Sequence, residues 1–409
     1  MGIDRKDYKK IIMDKFMVTI FLLLLFINIF AHYLVEAAGG VLNLFVVYSL
    51  FIYFTFFYGK KIRHIKKLSF CIFLFVYIFE RQFLWNFSDG YSSFGFLFER
   101  SVWNLVSFVP MMFSAIAIFE KSRTELINWC KKIFILSITI VCVVSIVMLI
   151  GDNTLSKKTA TTEGYYQPFL INFAVCYSLV ICLPLIICWC GKSKNKILSI
   201  IFLLLIFATV VLSSYVIAIM GTIVGIICYL LFKIKDRNLR LLIIFIAVIF
   251  IIFIFASNVM VDILYALSKV ISLEEVSKRF EQIALFLSSG VTGDTTVRID
   301  LYVEMFNNWL KHPFLGNIIY KSNIKLSGHS TNLDILSGCG ILGFVFYIKF
   351  IVDILKSNLN GSLKRRAAVV SSFIVLLFLS TFNPIFASSQ IMVMYVLSPL
   401  LFLEEKMEN

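Results

Sequence analysis

The sequence predicts an all-α, polytopic membrane bundle of about twelve transmembrane helices, with one large external loop between helices 9 and 10. Three observations carry this reading. Of 409 residues, 60% are hydrophobic and only 15% charged, and the mean hydropathy is +0.92. That is more apolar surface than a chain of this length buries in a water-soluble core. The apolar residues also recur in runs near the roughly 20 residues that a helix needs to cross a hydrocarbon core of about 30 Å, without the alternation of barrel strands. Finally, positive charge falls in short blocks between these runs, in every second connection.

Taken in order, the expected spans are 16–35, 41–58, 68–86, 101–119, 133–150, 168–189, 197–212, 215–232, 239–257, 331–354, 367–383 and 387–403. The seventh and eighth share a tight turn at Ser213-Ser214. Val35-Glu36-Ala37 resembles a signal-peptidase site, but the run from Phe16 to Leu34 is longer than an ordinary signal-peptide core, so a retained first helix is expected.

The basic connections are the N-terminus (Arg5, Lys6, Lys9, Lys10, Lys15) and the loops with Lys60, Lys61, Arg63, Lys66 and Lys67, and with Lys121, Arg123, Lys131 and Lys132. Three more follow, carrying Lys192, Lys194 and Lys196, then Lys233, Lys235, Arg237 and Arg240, then Lys356, Lys364, Arg365 and Arg366. The intervening loops are poor in positive charge or balanced by acids, as at Glu80, Arg81, Asp89, Glu99 and Arg100. Positive charge stays on the cytoplasmic side. Both termini are therefore expected in the cytoplasm, with residues 151–167 and 257–330 outside and 1–409 forming a single integral membrane domain. The net charge of +14 is thus a topology signal and points to membrane lipids, not to nucleic acid. The nine cysteines lie in or beside apolar runs with no CxxC pair, which indicates neither a zinc site nor a disulfide framework. No metal or cofactor is called for.

Within 257–330, apolar residues from Val261 to Leu287 recur at helical spacing among Lys278, Arg279, Glu281 and Gln282, which predicts one amphipathic helix on the membrane surface. After the turn-rich Ser288–Thr296 stretch, Thr295 or Thr296 is expected to cap a helix running to Lys311, stopped by His312-Pro313. Arg298, Tyr302, Met305 and Trp309 share one face of it at spacings of four, three and four. His329 immediately precedes the tenth span, where Ser330 or Thr331 can cap the helix. A helix N-terminus attracts anions. Histidine titrates near neutrality and accepts a proton from a hydroxyl, and arginine grips phosphate through a fixed fork of donors. An imidazole and a guanidinium beside such a terminus suit sugar transfer from a phosphate leaving group. Each alone also has a plainer reading, His329 as a helix-end hydrogen-bonder and Arg298 as a lipid head-group contact.

The pattern as a whole is Arg298, then His312-Pro313 and Gly316, then Gly328-His329-Ser330 with Leu333, Gly338, Gly340 and Gly343 opening a span. Over residues 298–343 it resembles the hallmark of the bacterial O-antigen polymerase (Wzy-like) and O-antigen ligase superfamily. The resemblance implies undecaprenyl-pyrophosphate-linked glycans as substrates and a glycosidic bond formed outside the cytoplasmic (inner) membrane. It also implies His329 as the catalytic base and Arg298 as a pyrophosphate binder. Tyr302 joins them as a substrate-binding residue. Many members carry a Ser-Arg pair at the external end of a middle helix, where this chain has Ser213-Ser214-Tyr215. The second cation must then come from Arg279, Lys157, Lys158, Lys321 or Lys325. A chain-length regulator and a flippase are left open as further partners.

The function expected first is polymerisation of lipid-linked O-antigen or capsular repeat units. A ligase moving finished glycan onto lipid A-core uses the same residues. A twelve-helix transporter or flippase is the alternative of another class, and would place ionisable groups or broken helices near the bilayer midplane.

Overall fold

The computed structural model describes residues 124–152, 171–256, 259–270, 274–289, 293–316, 329–359, 361–385 and 389–402, with a few isolated positions besides. Among these residues there are eleven helices and no strand. We label them α1 (Thr124–Gly151), α2 (Phe173–Lys192), α3 (Lys196–Leu212), α4 (Val216–Phe232), α5 (Arg237–Ala256) and α6 (Val259–Val270). There follow α7 (Glu274–Ser289), α8 (Gly293–Lys311), α9 (Thr331–Asn358), α10 (Leu363–Phe382) and α11 (Ser389–Phe402). Four contain stretches long and apolar enough to cross a membrane, namely Asn128–Gly151, Phe173–Lys192, Thr331–Lys356 and Leu363–Phe382. They mark the chain as a membrane protein. Helices α3 and α4 are apolar but shorter, at 17 residues each. The eight expected spans from 133 onward each coincide with a helix to within a few residues, except that α1 and α10 begin earlier, in polar residues that continue the helix beyond its apolar part. The first four expected spans lie outside the described residues.

The chain divides into two compact units. The first contains α1, α2, most of α3 and α11. Here α2 is buried almost all round, as expected of a helix apolar on every face. Asn172 caps it, its Oδ1 accepting from the Val175 N–H at 3.0 Å. The Ile171 N–H just before the helix donates to Ser145 Oγ of α1 at 2.8 Å. Aromatic contacts join α11 to its neighbours, Phe402 meeting Trp189 at 5.9 Å and Phe134 at 6.5 Å between ring centroids. Of the eight cysteines among the described residues, seven are buried.

The second unit contains α4 to α10. Helix α4 carries Gly221 and Gly225 four residues apart, and with Ala218 and Thr222 they are buried. Helix α10, which packs against it, buries Ala367, Ala368, Ser371 and Ser372. Small residues facing small residues let two backbones approach closely, which supplies van der Waals attraction where lipid offers no hydrophobic drive. The other side of α4 exposes Met220, Ile223, Ile227 and Leu230, an apolar outer face suited to acyl chains. Ser214, in the expected turn between α3 and α4, has φ +58°, an unusual conformation for a residue with a Cβ.

The single amphipathic helix expected over 261–287 is instead two, α6 and α7, with residues 271–273 outside the described set. The two pack together, burying Leu264, Val276 and Ala284, and Ser277 Oγ donates to the Ser268 carbonyl at 2.6 Å. Apolar spacing is the same for one long helix and for two that fold onto each other, so periodicity could not distinguish them. Helix α8 begins at Gly293, which places Thr295 and Thr296 inside its first turn and not at its cap. A capping residue type indicates the neighbourhood of a helix start, and boundaries shift by one or two residues.

Helix α9 is broken. At Gly340 the backbone has φ +63° and ψ −169°, so the helical ladder stops and restarts. The restart leaves N–H groups that helix geometry does not satisfy, and those of Ile341 and Leu342 donate to the carbonyls of Pro313 (2.9 Å) and Phe314 (3.2 Å). The turn 312–316 thus docks on the break. Gly316, itself at φ +59°, closes it, with its N–H bonded to the His312 carbonyl at 3.0 Å. A Cβ on Gly316 would sit 2.5 Å from backbone atoms of Ser337, Gly338 and Gly340, and one on Gly340 would strike the Phe314 carbonyl.

Two substitutions test this dock. Gly340→Ala and Gly316→Ala each force a positive φ on a residue with a Cβ, a strain of about 1–3 kcal/mol before any clash. Both should lower the thermal aggregation midpoint of the detergent-solubilised protein by several degrees. Gly191→Ala, where an added Cβ meets nothing within 4 Å, should leave it unchanged. Equal midpoints for all three would show that the dock does not hold the fold.

Candidate functional site

The dock fixes α8 alongside the first half of α9. Equivalent contacts recur with a sequence offset of 27 to 29 residues: Tyr302 Oη donates to the His329 carbonyl at 3.2 Å, and Asn308 Nδ2 donates to Ser337 Oγ at 2.6 Å. Later residues of α8 meet later residues of the 329–337 stretch, so the two helices run in the same direction. Asn308 and Ser337 are both buried. Met305, one turn before Asn308, is buried as well, and the Trp309 indole N–H donates to the Pro313 carbonyl at 3.2 Å. That carbonyl therefore accepts from both α8 and α9.

The start of α9 is anchored from its other side. Ser330 is the N-cap, its Oγ accepting from the Leu333 N–H at 3.3 Å. Thr331 donates twice to the Asn383 carbonyl just past α10, from its N–H and its Oγ1, each at 3.2 Å. Asn332 Nδ2 donates to Thr381 Oγ1 at 2.9 Å. His329 is thus the last residue before a fixed helix start, with its own carbonyl held by Tyr302.

The charges around it act in opposite directions. Burial, then the positive Arg298, hold the His329 imidazole below its ordinary value, while Asp334 pulls it back up. Burial raises the Tyr302 phenol, against which Arg298 acts and to which Asp334 adds. Arg298, Tyr302, His329 and Asp334 therefore form one electrostatic cluster. Lowering the imidazole favours its neutral form, the one able to accept a proton, and a guanidinium beside it is always charged.

Of the residues singled out from sequence, the structure brings together His329, Arg298 and Tyr302. Arg279 lies in α7, with its side chain outside the described set. Lys157, Lys158, Lys321 and Lys325 lie outside the described residues. Sequence reasoning gave no role to Asp334, 5% exposed. Its signal was an acid in the first turn of a helix that opens on a His-Ser pair. Nor did it pair Asn308 with Ser337, for which no short-range pattern exists. No family model matches this chain, and no curated protein does.

The cluster makes a signed prediction. Replacing Arg298 by Gln should move the His329 titration midpoint to higher pH, because a positive charge that opposes the imidazolium is removed. Asp334→Asn should move it to lower pH. Histidine side-chain NMR on the selectively labelled protein reads both shifts, and an Arg298→Gln midpoint equal to that of the unsubstituted protein would refute the adjacency.

Proposed function

We propose that the chain polymerises lipid-linked oligosaccharide repeat units, of O-antigen or capsular type, moving a growing glycan from undecaprenyl pyrophosphate onto the next lipid-linked unit. The observation that carries this reading is the meeting of His329 and Arg298 at a capped helix start, within a chain whose motif resembles the O-antigen polymerase and ligase superfamily. His329 takes the proton of the acceptor hydroxyl. The freed oxygen attacks the anomeric carbon of the donor, a glycosidic C–O bond forms, and the bond from that carbon to the pyrophosphate oxygen breaks. The pyrophosphate departs with the electron pair, its charge met by Arg298. Tyr302 fixes the backbone that carries the base. Arg279, Lys157, Lys158, Lys321 and Lys325 supply the candidates for a second phosphate contact.

In this reading the protein sits in the bacterial cytoplasmic membrane with about twelve spans, both termini cytoplasmic and the site on the outer side. The basic blocks in alternate connections support that orientation.

His329→Ala and Arg298→Ala should each abolish chain-length extension while membrane expression stays intact. Long glycan in a strain whose only copy carries His329→Ala would overturn the assignment. A deletion strain separates the two members of the superfamily. Single repeat units attached to the acceptor indicate a lost polymerase, whereas lipid-linked polymer with nothing attached indicates a lost ligase.

A further inference from the structure

Helix α8 has three faces. One is buried against α9 through Met305 and Asn308. A second, formed by Asp300, Glu304, Asn307 and Lys311, is exposed and lines a recess of about 380 Å³ together with Val303 and Asn308. The third is apolar and equally exposed: Val303 at 52%, Phe306 at 45% and Leu310 at 56%, continued past the helix by Phe314 at 73%. Large apolar side chains at this exposure, in line with one another and with Phe314, are not the surface of a segment surrounded by water.

Where this stripe lies follows from its attachment. Helix α10 has 20 residues, which at 1.5 Å each is about the 30 Å of a hydrocarbon core. Its two ends therefore mark the two membrane faces. Thr331 is bonded to Asn383, just past one of those ends, so α9 starts at that face. Gly340 lies nine residues farther along α9, and the turn 312–316 is bonded to the backbone just beyond it. Next to that turn, α9 exposes Ile341, Leu342 and Val345, so the apolar stripe of α8 and the outer face of a membrane span form one continuous surface.

We propose that α8 and the turn 312–316 are a re-entrant segment, with Phe306, Leu310 and Phe314 against the acyl chains of the bilayer, Val303 at the border between stripe and recess, and the turn about 13 Å below the membrane surface. The occupant of the stripe is bilayer lipid. Its polar face then looks onto water inside the membrane's thickness, because ionisable groups at such depth face an aqueous cavity or one another. Asn308 fits this arrangement: its Oδ1 is buried with no hydrogen-bond partner among the described residues, a group that a water in the recess satisfies. Non-helical backbone at membrane depth must be covered by protein or line a cavity. Here each half of the break covers the other, the turn's carbonyls meeting the N–H groups of Ile341 and Leu342. The inference rests on the membrane spans alone and stands whether or not the chain transfers sugars.

The test is a depth measurement on the full chain in phospholipid vesicles. Val303→Cys, Phe306→Cys, Leu310→Cys, Phe314→Cys and Asn307→Cys are each labelled with a nitroxide, and labelling of the native cysteines is subtracted using the unsubstituted protein. Collision with oxygen, which concentrates in lipid, should rise in the order 303, 306, 310, 314. Collision with a water-soluble nickel chelate should fall in the same order and be high at 307. Nickel access at 314 equal to that at 307 would place α8 outside the membrane and overturn the proposal. Protection of 306, 310 and 314 from both reagents would show that protein covers the stripe, and would overturn it equally. Because all five positions are exposed, the substitutions do not disturb the buried face; any variant that fails to insert is replaced by the neighbouring position on the same stripe.

Discussion

Two backbone hydrogen bonds, from Ile341 to Pro313 and from Leu342 to Phe314, are the constraint on which the site depends. A helix interrupted inside a low-dielectric region carries unsatisfied N–H groups, and leaving a buried polar group unpaired costs about 1–3 kcal/mol. The turn from His312 to Gly316 supplies the acceptors. It can do so only because Gly316 and Gly340 lack side chains and adopt positive φ, so that the two backbones meet with nothing between them. Once they meet, the register of α8 on α9 follows, since the Tyr302–His329 and Asn308–Ser337 contacts occur at the similar offsets of 27 and 29 residues. The position of Arg298 relative to His329 is therefore set some distance away, at the dock.

The site joins this dock to a second anchor. The hydrogen bonds from Thr331 and Asn332 to the end of α10 hold the beginning of α9, while α10 packs its small residues against Gly221 and Gly225 of α4. In lipid, close backbone approach and interhelical hydrogen bonds replace the hydrophobic drive that organises soluble bundles. The backbone of His329 is held between two such anchors. The protonation of its imidazole is then governed by a cation and a carboxylate at fixed positions, Arg298 opposing the imidazolium and Asp334 favouring it. Within α9, Lys349 pairs with Asp353 at 3.0 Å one turn away.

What could be read from the chain depended on whether the signal was local. Apolar runs place α1 to α5 and α9 to α11 because the hydrocarbon core imposes a length on each. His312-Pro313 marks the end of α8 because proline cannot continue a helix, and Ser330 marks the start of α9 because its hydroxyl replaces a missing partner. Where a local signal fits two structures it could not choose between them, as with α6 and α7 in place of one helix.

By itself, then, the sequence determined the all-helical character, the membrane environment and the residue types of the site, since hydropathy, capping chemistry and the stiffness of proline act within one helix or turn. Tertiary structure alone decided that Gly316 and Gly340 are halves of one contact, that Asn308 pairs with Ser337, and that Asp334 joins the cluster. Each of these needs two segments brought together in one register. That register is fixed by backbone geometry at a helix break, which leaves no periodic trace in the order of the residues.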